Sequence, residues 1–147
     1  MPDPYATGSL GKSPITRKEP VVGRFVAIID RRADDRQLEM IPAASRCLIK
    51  GEVHELIVTD EESKRGKIDR VCYLGFFEVL NSGVIVSGDT VSASGVRLGE
   101  LMGFDLTHSP NHMNIVIKSD SRETGEEIGL ELGSTIQFEA PEQASSQ

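Results

Sequence analysis

Apolar residues along this chain fall in short runs separated by glycine, proline and polar clusters, and few of the runs keep a helical period. The first, Val21-Val22-Gly23-Arg24-Phe25-Val26-Ala27-Ile28-Ile29, lies between Pro20 and the charged cluster at 30–36. It predicts a strand buried on both faces, followed by a solvated connection. Residues 38–41, stopped by Pro42, and 46–50, stopped by Gly51, predict two further short strands. Gly51 is then expected to turn the chain into a partly alternating strand at 53–58. Residues 59–67 are polar throughout and predict an exposed hairpin loop. From 68 to 80 both alternations are apolar: Val71, Tyr73, Phe77 and Val79 on one, Cys72, Leu74, Phe76 and Leu80 on the other. A central strand covered on both sides has that pattern. After the turn Asn81-Ser82-Gly83, residues 84–86 are expected to continue the sheet.

Glycines recur at Gly95, Gly99 and Gly103, each weakening a helix by about 1 kcal/mol relative to alanine. Two strands joined at Gly95, over 90–94 and 96–104, are therefore preferred to a helical turn. Met113, Ile115 and Ile117 form the inward face of another strand, 119–127 a polar loop, and Ile136-Gln137-Phe138 the closing strand. Val86-Ser87-Gly88-Asp89-Thr90-Val91 and Leu132-Gly133-Ser134-Thr135-Ile136 share a Gly, a small polar residue, a Thr and a β-branched residue. These stretches resemble the Gly-Asp turns of small closed barrels of the cradle-loop type, which implies a shape and no activity. Short strands with turns every 8 to 12 residues or so predict a mainly β protein with little helix, as a small closed or partly open β-barrel. A β-sandwich is the alternative; a barrel leaves no open edge. The domain is expected over 20–140. It is flanked by a proline-rich N-terminal arm at 1–19, solvated or exchanged between subunits, and by a disordered polar tail at 141–147.

Composition narrows the function classes. The 23 acidic against 16 basic residues give a net charge of −7, which disfavours a nucleic-acid backbone as partner. No apolar run reaches the roughly 18 residues of a membrane span, and the first 30 residues carry no signal-peptide core. A cytoplasmic protein is expected, with Cys47 and Cys72 as reduced core thiols.

Potential chemistry concentrates between Gly103 and Ile117, where His108-Ser109-Pro110-Asn111-His112 packs two of the three histidines around a proline turn. If this is a β-hairpin closed by Ser109-Pro110-Asn111, His108 and His112 are opposed, with Cβ atoms about 4.5–5.5 Å apart. That separation suits two imidazoles on one divalent transition metal, the candidate cofactor, with His54 from another strand as third ligand. The helical i, i+4 pairing of metal-binding histidines is not expected across the proline. Without a metal, Asp105, His108, Asn111, His112 and Asn114 form a candidate site for a small polar or anionic molecule, with a histidine as acid or base. Asp105 and Asn114 equally suit capping of turn backbone. No Gly-x-Ser-x-Gly elbow and no phosphate-binding Gly-rich loop occurs, so the residues name no reaction. Two readings follow: a small-molecule or metal-ion binding barrel, or a non-catalytic structural module that self-associates as a homo-oligomer.

Overall fold

The structure is a computed structural model that describes residues 14–62 and 66–141. Its principal strands are β1 (Val21–Ala33), β4 (Val53–Thr59), β6 (Val71–Val79), β8 (Thr90–Ala93), β9 (Val96–Asp105), β10 (Asn114–Lys118) and β11 (Thr135–Glu139). Short strands β2 (Leu38–Glu39), β3 (Ser45–Leu48), β5 (Lys67–Ile68) and β7 (Gly83–Val86) lie between them. The seven principal strands close into a ring in the order β1, β11, β8, β9, β10, β4, β6, with β6 returning to β1. The expected closed barrel forms, and the sandwich does not. All ring pairs are antiparallel except β10 with β4, which run parallel in the register Asn114 with Glu55 to Lys118 with Thr59. The four short strands form two separate ribbons, β2 with β5 and β3 with β7.

Alternation sorts the side chains into two cores. Inside the ring, Phe25, Leu56, Phe77, Phe104, Ile115 and Phe138 are completely buried. Phe77 meets Phe25 edge-on at 6.4 Å between ring centroids and Phe138 at 5.7 Å. On the outer face a smaller cluster, including Ile57, Tyr73, Met102 and Val116, is covered by Leu38 and Ile68 of the β2–β5 ribbon. β6 is thus covered on both sides, as its double alternation predicts.

Several local expectations need correction. Arg31 and Arg32 do not lie in a solvated connection; they extend β1, paired with Tyr73 and Cys72 of β6. Both side chains are exposed at this end of the strand, so their charge does not stop the backbone pairing, and Arg31 lies over the Tyr73 ring at 5.3 Å. The chain does turn at Gly51, but β3 pairs with β7 rather than β4. Residues 84–86 therefore belong to that ribbon and do not continue the main sheet. Cys72 is buried, whereas Cys47, on the ribbon's outer alternation, is exposed; both thiols are free. Within the expected arm, residues 1–13 lie outside the described residues, as do 142–147 of the expected tail and 63–65 of the polar loop. Lys18 is anchored to Asp89 through an ion pair of 2.8 Å, with side chains only 8% and 3% exposed.

The two similar turns are also similar in space. Gly88, at φ 100°, donates its N–H to Leu101 O (2.8 Å), and the Leu101 N–H returns to Asp89 O (2.9 Å). Gly133, at φ 88°, donates to Phe25 O (2.8 Å), and Phe25 N–H returns to Ser134 O (2.9 Å). Each turn uses the left-handed backbone that glycine adopts without strain, and each feeds a ring strand.

The loop expected at 119–127 is more ordered than its polarity suggests. Thr124 Oγ1 accepts the Glu127 N–H (3.1 Å) while the Glu127 carboxylate accepts the Thr124 N–H (2.8 Å), a reciprocal capping box on one helical turn. Gly129, at φ 81°, ends that turn, with Leu130 N–H bonded to Gly125 O at 3.0 Å. Thr124 also donates to Asp30 (2.9 Å), and Arg122 pairs with Asp34 (2.9 Å), tying the loop to β1 and the residues after it.

Candidate functional site

β9 and β10 are joined by an eight-residue connection, 106–113, rather than the three-residue loop expected. Ring pairing stops at Asp105 with Asn114, so His108 and His112 are not a cross-strand pair. His108 O instead accepts the N–H of Asn111 (2.9 Å) and of His112 (3.3 Å), the latter an i→i+4 bond. A non-helical turn containing the cis Ser109–Pro110 peptide bond therefore brings both histidines to one side, without the helical pairing that the proline was expected to exclude. Their rings stack with centroids 5.1 Å apart and planes at 30°.

Below this turn, register lines up a row across four strands on the outer face of the barrel: Phe76 of β6, Glu55 of β4, Asn114 of β10 and Asp105 of β9. His112 lies over this row. Its ring meets Phe76 edge-on at 4.9 Å, and its Nε2 is 3.3 Å from Glu55 Oε1. The two side chains are 11% and 9% exposed. Its Nδ1 lies 2.7 Å from Asn111 Oδ1, so Nδ1–H is the donor in that bond. A neutral imidazole then turns its Nε2 lone pair toward a carboxylate oxygen, a contact between two acceptors that leaves the nitrogen unsatisfied. Burial pushes the Glu55 carboxyl above its ordinary value, opposed by His112, His108 and Arg36 in that order. The contact is an ion-pair approach rather than an aligned hydrogen bond, and Nε2 has no hydrogen-bond partner among the described residues.

Asp105 is completely buried and accepts four hydrogen bonds: from Glu39 N–H (2.9 Å), Thr107 N–H (2.9 Å), Thr107 Oγ1 (3.0 Å) and Asn114 Nδ2 (3.1 Å). It fastens the start of the turn to the sheet and to β2. Asn114, 1% exposed, spends its amide nitrogen on Asp105, leaving Oδ1 buried with no hydrogen-bond partner among the described residues. Of the sequence candidates, Asp105, Asn111, His112 and Asn114 thus meet around one row, with His108 exposed above it.

His54 stands apart. It lies on the other alternation of β4 from Glu55, and its Nδ1 accepts the Met113 N–H at 3.0 Å. That bond places the ring proton on Nε2, which faces Glu52 Oε1 at 3.3 Å. Glu52 is held below the ordinary carboxylate range, first by the Ile49 N–H and then, against burial, by His54. Both His54 nitrogens therefore have protein partners. Among the described residues, no group of three or more His, Cys, Asp or Glu side chains is arranged to hold a metal ion. The stacked rings of His108 and His112 explain part of this, because near-parallel planes do not aim both lone pairs at one point.

Sequence reasoning missed Glu55 and Phe76. The available signal was a charged residue set directly before the apolar run Leu56-Ile57-Val58 in a strand shielded on both sides.

Residues 15–139, spanning the whole barrel and the turn, match one family. The chain belongs to DUF6917, a family of unknown function. No match to this DUF6917 chain occurs among curated proteins or solved structures. Among its described residues no helix is long and apolar enough to cross a membrane.

Proposed function

We propose that the protein is a small-molecule-binding β-barrel whose site is the polar row beneath the 108–112 turn. One observation carries the reading: two buried polar atoms without hydrogen-bond partners among the described residues, His112 Nε2 and Asn114 Oδ1, both flank Glu55. An unsatisfied buried polar atom costs roughly 1–3 kcal/mol, so a shared patch of them suits a ligand that supplies the missing bonds. Asn114 Oδ1 asks for a donor such as a hydroxyl. His112 Nε2 asks for a partner as well, and the exposed His108 beside it suits an anionic group. A small hydroxy acid combines both features, and the Glu55–His112 pair can pass it a proton or take one. A divalent metal would draw instead on His108, His112 and Glu55, after the two rings unstack, and not on His54.

The test is calorimetric titration of the purified chain with glycolate, acetate and glycerol, alongside zinc. Glycolate is expected to bind most tightly, with His108→Ala and Asn114→Leu each weakening it by about fivefold or more. Saturable binding of zinc alone, lost in both His108→Ala and His112→Ala, would replace this reading with the metal one. Binding of none of the four would overturn both.

A further inference from the structure

The opposite end of the barrel offers a second site, independent of the histidine turn. Between the β8–β9 turn, the exit of β10 and the capped loop lies a cavity of about 400 Å³. That falls within the roughly 300–1,000 Å³ of small-molecule pockets. Its floor is the barrel core itself: Val58, Leu74, Ala93 and Ile117. Leu98, Ile128 and Leu130 form apolar walls packed against that core. The walls are fixed in place, because the Thr124–Glu127 capping box and the Gly129 turn hold Ile128 and Leu130 where they stand.

The rim is polar. Ser94, Ser119, Ser121 and Ser134 bring hydroxyls to it, and Arg97 and Glu123 bring charge. Ser94 and Gly95 take positive φ (49° and 81°) in the tight turn that sets this edge. Glu123 is engaged, accepting the Ser121 hydroxyl at 2.9 Å. Arg97 is exposed at this rim and, unlike Arg24, Arg32, Arg70 and Arg122 but like Arg31, Arg36 and Arg46, has no ion pair among the described residues.

We infer that this barrel mouth binds a small amphipathic carboxylate, with its hydrocarbon portion on the apolar floor and its carboxylate on Arg97 and the serine hydroxyls. An apolar floor excludes a wholly polar ligand, since each buried methylene contributes a few-fold in affinity and a buried polar group without partners opposes binding. A guanidinium at the rim favours a carboxylate over a neutral head because it can donate two parallel hydrogen bonds to it.

Calorimetry of the full chain with hexanoate, octanoate and octan-1-ol, paired with a ¹H–¹⁵N correlation map, tests the inference. Octanoate is expected to exceed hexanoate by roughly tenfold, from two further methylenes. It should exceed octan-1-ol by about tenfold through the charge-assisted contact, and Arg97→Ala should remove that second difference while leaving the spectrum of the folded barrel intact. Amide shifts should gather at Ser94, Leu98, Ser119 and Leu130, with His108 and His112 unmoved. Absence of saturable octanoate binding at millimolar concentration, or shifts gathered at the histidine turn, would overturn the site. Equal binding of the alcohol and the acid would overturn the ligand class.

Discussion

Replacing Asp105 by alanine should be among the most damaging single changes to this barrel. The carboxylate is fully buried and accepts four hydrogen bonds, from β2, from Thr107 twice and from Asn114. Removing it strands the Asn114 amide in the interior and frees the first residues of the turn. The two donors of exposed Thr107 can turn to water; the other two, Glu39 N–H and Asn114 Nδ2, left without acceptors at roughly 1–3 kcal/mol each, together with a small cavity, set the expected loss at about 3–5 kcal/mol. For a domain stable by about 5–15 kcal/mol, this is a large fraction. Asp105→Asn keeps the volume but turns an amide N–H toward existing donors, so a loss of about 2–3 kcal/mol is expected. Urea titration followed by far-ultraviolet circular dichroism measures both, and the midpoint should fall at unchanged slope. Pairing Asp105→Ala with Asn114→Ala gives the coupling, which should be about 1 kcal/mol or more because the two side chains bond directly. A loss below about 1 kcal/mol for Asp105→Ala would refute the assignment of Asp105 as the anchor of the turn, since a buried acceptor of this kind cannot be removed so cheaply.

Three further outcomes follow from the same structure. Glu55 is raised by burial, so its contribution to stability is full below its unfolded value, about pH 4.3, and is lost as pH climbs through its folded value; Glu55→Gln should flatten the fall in melting temperature across that window. A Cβ on Gly125 would sit 1.9 Å from the Leu74 carbonyl oxygen, so Gly125→Ala should destabilise by about 1–3 kcal/mol in urea, whereas Thr124→Ala, which removes the cap, should cost about 1 kcal/mol. Iodoacetamide should label Cys47 in the folded protein and reach Cys72 only after unfolding, as intact mass will show; labelling of Cys72 at the same rate would contradict its place in the core.

The barrel was legible in the sequence because closed sheets leave the strongest local pattern. The double alternation before and after Gly75 announced a strand covered on both sides, and the Ser94-Gly95 turn marked the β8–β9 hairpin. Strand ends were less legible. Arg31 and Arg32 resemble a loop by charge, yet exposed arginines cost a paired strand little when one stacks on Tyr73. The histidine turn was found by composition, but its shape depended on the connection length, which Asp105 sets by capping Thr107. Glu55 escaped because its role comes from register: only the parallel pairing of β10 with β4 sets it beside Asn114 and under His112. His54 and His112 look equivalent in sequence, but alternation on β4 separates His54 from the row, and nothing local records that.

The separation of His54 from the row is also the most direct test of the site. A long-range ¹H–¹⁵N spectrum of the three histidine rings, recorded free and with glycolate, reports each nitrogen. His54 should show one Nε2–H tautomer that glycolate leaves unchanged, while the His108 and His112 signals move together on saturation. Movement of all three rings together, or of His54 alone, would contradict the site built on Glu55, His112 and Asn114.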